Sequence, residues 1–190
     1  MSSIFSEYAG PLRVIIGAGE QSYPGWIATH KDQLDLLDPY CWGEQFRNRK
    51  ADAFLCEHVW EHLTESEGRK AAEYCFEALR PGGYLRCAVP DANFSDAEYQ
   101  EMVQVGGPGP PDHPAADHKI VYDYRRFASV FEEAGFEVDL LEYCDESGRF
   151  HYNQWSFDDG KIYRSLLSDH RNHEGKLGFA SLIIDAKKPR

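Results

Sequence analysis

No run of eighteen apolar residues occurs in the 190-residue chain, so no membrane-spanning helix is expected. The opening stretch MSSIFSEYAGPLRV has neither a basic segment nor an apolar core, and export by a signal peptide is not expected. Cysteine is sparse and unpatterned. The five residues Cys41, Cys56, Cys75, Cys87 and Cys144 are odd in number, lack CxxC spacing, and several sit in apolar runs as small hydrophobes. A disulfide framework is disfavoured, and a reducing cytoplasm is the expected location. Basic residues are also short: formal net charge is −12, and the densest basic stretch is only Arg47-Asn48-Arg49-Lys50. Nucleic acid and membrane surfaces require a basic patch, so neither is expected as a partner. There is no internal repeat.

What is present reads as one domain over residues 1–190, long enough to bury a substantial core. Short apolar runs at residues 12–16, 26–29, 33–37, 51–56, 84–89, 136–143 and 179–186 read as strands. Thr64 and Glu67 form a capping box that opens a helix with Ala71, Cys75, Ala78 and Leu79 on one face. Arg80-Pro81-Gly82-Gly83 is expected to end it in a turn. A second helix carries Phe127, Val130, Phe131 and Ala134, and Gly135 closes it. Strands alternating with helices predict an α/β fold, Rossmann-like and doubly wound, with a mostly parallel sheet covered on both faces. Two insertions interrupt the pattern, near 92–120 and 144–178. The first contains GGPGPPDHP, which cannot be helix or central strand.

Gly17-Ala18-Gly19 directly follows the first strand, where glycine lets a ligand approach the backbone at the carboxyl edge of the sheet. The third glycine of a dinucleotide fingerprint is missing, since Ser22 stands there, and so is a Walker lysine; a pyrophosphate cofactor is not indicated. His58-Val59-Trp60-Glu61-His62 matches the H-x-x-E-H pattern of a zinc hydrolase. The capping box starts its helix after His62, so the two histidines are not expected to share a helical face, and no metal site is assigned. Asp112, His113, Asp117, His118, Asp169, His170 and His173 form a second collection. Converging, they would bind a metal or supply a base; otherwise they are solvated loop residues.

The stretch KADAFLCEHVWEHL, the capped helix and LRPGGYLRCAVPD together resemble the core of class I S-adenosylmethionine (SAM)-dependent methyltransferases, specifically the type 11 group. GAGEQSYPGW at residues 17–26, HKIVYDYRRFASVFEEAGFEV, RSLLSDHRN and GFASLIIDAKK are similar to a short subgroup of predicted SAM-dependent methyltransferases. The resemblance implies a seven-stranded sheet with an antiparallel last strand, and residues 20–25 leave room only for a shortened first crossover helix. It implies SAM as cofactor, with Gly17, Ala18 and Gly19 at its methionine part. His30 would stand where the family presents an acid to the ribose, Asp35 and Asp38 near adenine, and Glu57 with His58 toward the methyl. The implied reaction is methyl transfer to an O or N atom of a small-molecule or sugar-containing acceptor. Imidazole, which titrates near neutrality, nominates His58 as base, with His118 second. Residues 144–178 carry many aromatics and are expected to meet the acceptor. A catalytically inactive scaffold on the same fold is the alternative, a zinc hydrolase built on HVWEH is a more distant one, and a homodimer would bury aromatic surface.

Overall fold

The structure, a computed structural model, describes residues 3–6, 8–173 and 176–190. Its sheet grows from four parallel strands: β1 (Arg13–Ile16), β2 (Ile27–Ala28), β3 (Ala51–Glu57) and β4 (Leu79–Pro90). β5 (Glu137–Cys144), β6 (Phe150–Tyr152) and β7 (Ser181–Lys187) complete the order β2-β1-β3-β4-β7-β5-β6. β7 runs antiparallel to both its neighbours, and β6 runs antiparallel to β5. The fold is therefore a seven-stranded, mostly parallel Rossmann-like sheet with an antiparallel last strand. No helix among the described residues is long and apolar enough to cross a membrane.

Strand alternation divides the core in two. On one face Val14, Ile16, Phe54, Cys56, Leu85, Cys87 and Ile184 pack beneath α1 (Pro39–Phe46), α2 (Glu65–Ala78) and α4 (Tyr124–Glu132). α2 begins as its sequence predicts. The Thr64 hydroxyl accepts from the Glu67 backbone N–H at 3.3 Å, and the Glu67 carboxylate accepts from the Thr64 N–H at 2.7 Å. The intervening strand residues Ile15, Leu55, Ala88 and Ile183 point to the other face. There no α-helix among the described residues covers them. Ile162, Trp155, Trp26 and Tyr23, from irregular segments, do so instead. A short helix that precedes α4 in sequence, α3 (Ala97–Val103), lies in the first insertion and packs Tyr99 and Val103 against Phe179 and Cys144. All five cysteines are free, and Cys56, Cys75, Cys87 and Cys144 are buried.

Three local expectations are corrected. Residues 33–37 form a turn, not a strand, because Gln33 and Leu34 both donate to the carbonyl of His30 and Asp38 then caps α1 ahead of Pro39. The leucines there anchor the turn, with Leu34 and Leu36 in the core. The seventh strand is instead β6, the return of a hairpin. At residues 80–83 the chain does not turn away: β4 already starts at Leu79 opposite Ala51 and bulges before Tyr84 pairs with Ala53. Gly83 is needed in that bulge, since a Cβ would lie 2.9 Å from the Asp52 carbonyl. The first crossover, residues 17–26, contains turns and no helix, where the sequence predicts a shortened helix.

An ion pair ties the helix-free face together. Arg86 of β4, 2% exposed, donates to both carboxylate oxygens of Asp185 in β7 at 2.8 Å. Its Nη1 group reaches the carbonyls of Ser156 and Gly160, and the Trp155 ring covers the guanidinium at 4.7 Å. Good geometry and added hydrogen bonds of this kind are the condition under which a buried pair holds. Asp185→Ala, which strands the guanidinium, is expected to lower the unfolding free energy in urea by about 3–5 kcal/mol.

Candidate functional site

β1 leads to β2 on one side, while β3 lies on the other, so the carboxyl ends of β1 and β3 flank a point where the chain reverses direction across the sheet. Open α/β sheets bind ligands at such a crevice. Here it is a cavity of about 860 Å³. Gly17, Ala18 and Gly19 form one wall, Glu57 and His58 the next, and His118 enters from the first insertion. The two glycines serve different ends. Gly17 (φ +62°) makes way for Val59, whose Cγ2 would stand 2.7 Å from any Cβ. Gly19 (φ +54°) has nothing within 4 Å of that position and exposes its backbone to open space.

Glu57 is fully engaged. Its carboxylate accepts from Gln21 Nε2 at 2.6 Å, from the backbone N–H groups of Tyr163 and Arg164 at 2.8 and 3.0 Å, and from the Arg164 guanidinium at 3.2 Å. It therefore fastens the second insertion over the strand ends. His58 sits in the left-handed region (φ +55°), which a histidine rarely occupies. Its Nε2 is 3.0 Å from Ser181 Oγ and its Nδ1 is 3.2 Å from Glu61 Oε1. His118 donates from Nδ1 to the Val103 carbonyl at 2.8 Å, while its Nε2 lies 4.0 Å from Glu61 Oε1. Burial holds its imidazole below the ordinary 6.5, and the bond to the Val103 carbonyl and the nearby Glu61 only partly offset this.

The H-x-x-E-H residues do not form a helical face. β3 ends at Glu57, and Trp60–His62 is a single 3₁₀ turn ahead of α2. His62 and Glu61 nevertheless line the cavity. The loop collection divides: His113, His118, Asp169 and His170 reach the cavity, Asp117 bonds His62 Nδ1 at 2.7 Å, and Asp112 and His173 lie off the lining.

No family model matches the chain, and no curated protein matches it in sequence. Solved structures match it in shape. A SAM-dependent methyltransferase from Archaeoglobus fulgidus superposes with a TM-score of 0.53 at 14% identity, covering 94% of this chain and 87% of that one. A chain of the Haloferax volcanii complex between the Trm112 methyltransferase activator and a methyltransferase gives 0.53 at 14% identity, over 95% and 84%. Human N-acetylserotonin methyltransferase in complex with SAM gives 0.50 at 11% identity, over 95% of this chain and 48% of that one. The chain has the class I SAM-dependent methyltransferase fold. At these identities the likeness concerns the fold alone.

Within that fold, the residues expected at the ribose and adenine end stand apart from the cavity. His30 is exposed beyond β2 and its backbone N–H donates to Gln33 Oε1. Asp35 accepts from the Leu37 N–H, and Asp38 is spent as the cap of α1. None of the three is among the cavity's lining residues. Glu20, Gln21, Arg164 and Arg171 do line it and were not singled out by sequence. They belong to irregular segments, where no periodicity marks which side chain turns inward.

The second insertion is also anchored at Glu142. This carboxylate is buried on β5, accepting from Trp155 Nε1 at 3.0 Å and from the Leu166 N–H at 2.8 Å. Burial pushes it up to about 7, against those two hydrogen bonds. A value raised on folding lends stability that is full below the ordinary carboxylate range and is lost as pH rises through the folded value. Glu142→Gln removes that titration. Thermal melts should show wild type losing several degrees relative to Glu142→Gln between about pH 5 and pH 8. His118, lowered by burial, acts in the opposite sense below its ordinary value, so the comparison between the two proteins carries the test.

Proposed function

We propose that this chain is a SAM-dependent methyltransferase that transfers a methyl group to an O or N atom of a small-molecule or sugar-containing acceptor. The supporting observation is one continuous cavity of about 860 Å³ at the strand ends, with open glycine backbone at one end and a group of imidazoles at the other. Its lining suits the cofactor. The backbone of Gly19 is accessible, the Glu20 carboxylate is available to hydroxyl or ammonium groups, and Arg164 and Arg171, although paired with Glu57 and Asp169, bring two guanidinium groups to the wall. SAM supplies an activated methyl group. The protein's part is to hold the acceptor in line, exclude water and, for a hydroxyl acceptor, take its proton.

Of the two histidines nominated by sequence, His118 is the better base. Its Nε2 accepts no hydrogen bond, and burial keeps the ring neutral near pH 7, whereas both nitrogens of His58 already face a partner. A scaffold protein without turnover is the second reading. It draws on His30 lying outside the cavity and on the hold of Arg164 and the Tyr163 backbone on Glu57.

Calorimetric titration with SAM and with its demethylated product tests the reading. One-to-one binding at micromolar affinity, about −8 kcal/mol, is expected. Absence of binding of either ligand up to millimolar concentration defeats the enzyme reading and leaves the scaffold.

A further inference from the structure

At the floor of the cavity Glu61 presents an unusual carboxylate. Its side chain is 1% exposed, and neither oxygen has a hydrogen-bond partner. His58 Nδ1 comes within 3.2 Å of Oε1 but is not aligned to donate. A buried acidic group left this way is costly, and its retention points to a ligand that the carboxylate binds.

Two imidazoles stand beside it in matching states. The Asp117 carboxylate accepts from His62 Nδ1 at 2.7 Å, and the Val103 carbonyl accepts from His118 Nδ1 at 2.8 Å. Each acceptor can only receive a proton, so each ring carries its hydrogen on Nδ1 and keeps an Nε2 lone pair. The rings meet edge to face with centroids 4.9 Å apart. One donor atom from each of Glu61, His62 and His118 lies within 4.8 Å of the other two.

We infer that Glu61, His62 and His118 form a binding site for a divalent transition-metal ion, zinc being the ion that two imidazoles and a carboxylate serve best. Histidines whose second nitrogen is held by a carboxylate or carbonyl are the usual outer shell of such sites. Four-coordinate zinc with bonds of about 2.0–2.1 Å sets its donors roughly 3.3 Å apart, so the three side chains close in slightly on loading. Three protein donors leave a further position, which opens on the cavity and suits a water or an acceptor oxygen. With the His118 lone pair used as a ligand, an ion there would lower the pKa of a bound acceptor hydroxyl, whose proton would pass to solvent in the cavity. The donor set is not that of the H-x-x-E-H pattern. His58 is held at Nε2 by Ser181, and the second imidazole comes from the first insertion.

The site shares no residue with the glycine loop, and its test uses no SAM. Full-length protein is stripped with a chelator, dialysed and titrated with zinc chloride against a chromophoric competitor. One ion per chain with submicromolar affinity is expected. Glu61→Gln and His118→Ala should weaken it by more than about 100-fold, and Asp117→Asn by about 10–100-fold through His62. His170→Ala, on the cavity wall outside the cluster, should leave it unchanged. Circular dichroism melts accompany each variant. Should His118→Ala fail to fold, Asp117→Asn carries the decision, because that carboxylate is 75% exposed and removing it cannot open the core. Affinity no tighter than millimolar overturns the site, as does equal affinity in wild type, Glu61→Gln and Asp117→Asn.

Discussion

A parallel connection without a helix governs this molecule. Residues 17–26 carry the chain from β1 to its parallel neighbour β2 with turns alone, at the lower limit of the roughly 10–12 residues that a crossover containing a helix needs. One face of the sheet is consequently left without the helix that would cover it. Apolar strand residues such as Ile15, Leu55 and Ile183 cannot stay in water, so another part of the chain has to shield them. The second insertion does this with Trp155 and Ile162, and irregular backbone then lies against the sheet. Backbone without its own ladder needs partners when buried. Arg86 meets the carbonyls of Ser156 and Gly160, and Glu142 receives the Leu166 N–H. The buried charges of this face follow from covering a sheet with irregular chain.

The same segment builds the cavity. Having crossed the sheet, it passes the strand ends, where Glu57 takes its backbone at Tyr163 and Arg164, and it continues through Asp169, His170 and Arg171 along the wall. The first insertion closes the opposite side with His113 and His118. Shielding of the core and one wall of the ligand space are thus carried by the same stretch of chain.

The central layer of the fold was legible in sequence because its residues obey simple periods. β1, β3, β4, β5 and β7 are apolar runs, and the Thr64–Glu67 cap and the Phe127–Phe131 helix face follow local rules. The run at 33–37 misled because leucines anchoring a buried turn look like leucines of a strand. β6 was missed because three half-exposed residues of a hairpin have no pattern to show. Within the site, Gly17–Gly19, Glu57 and His58 were legible because strand tips are fixed by the strands themselves. Glu20, Arg164 and Arg171 were not, since their direction is set by tertiary packing of loops. The histidines of both insertions were noticed as chemistry, but only the fold decides that His118 turns inward, that His170 borders the cavity from an exposed position and that His173 lies off the lining.

The fit between Gly17 and Val59 joins two places that sequence keeps apart. Val59 fills the room a side chain at Gly17 would need, and it stands two residues before Glu61. Close-packed contacts of this kind transmit displacement instead of absorbing it. A side chain at Gly17 would push on Val59 and so on the turn bearing Glu61 and His62, which makes this glycine as much a condition of the far wall of the cavity as of the near one.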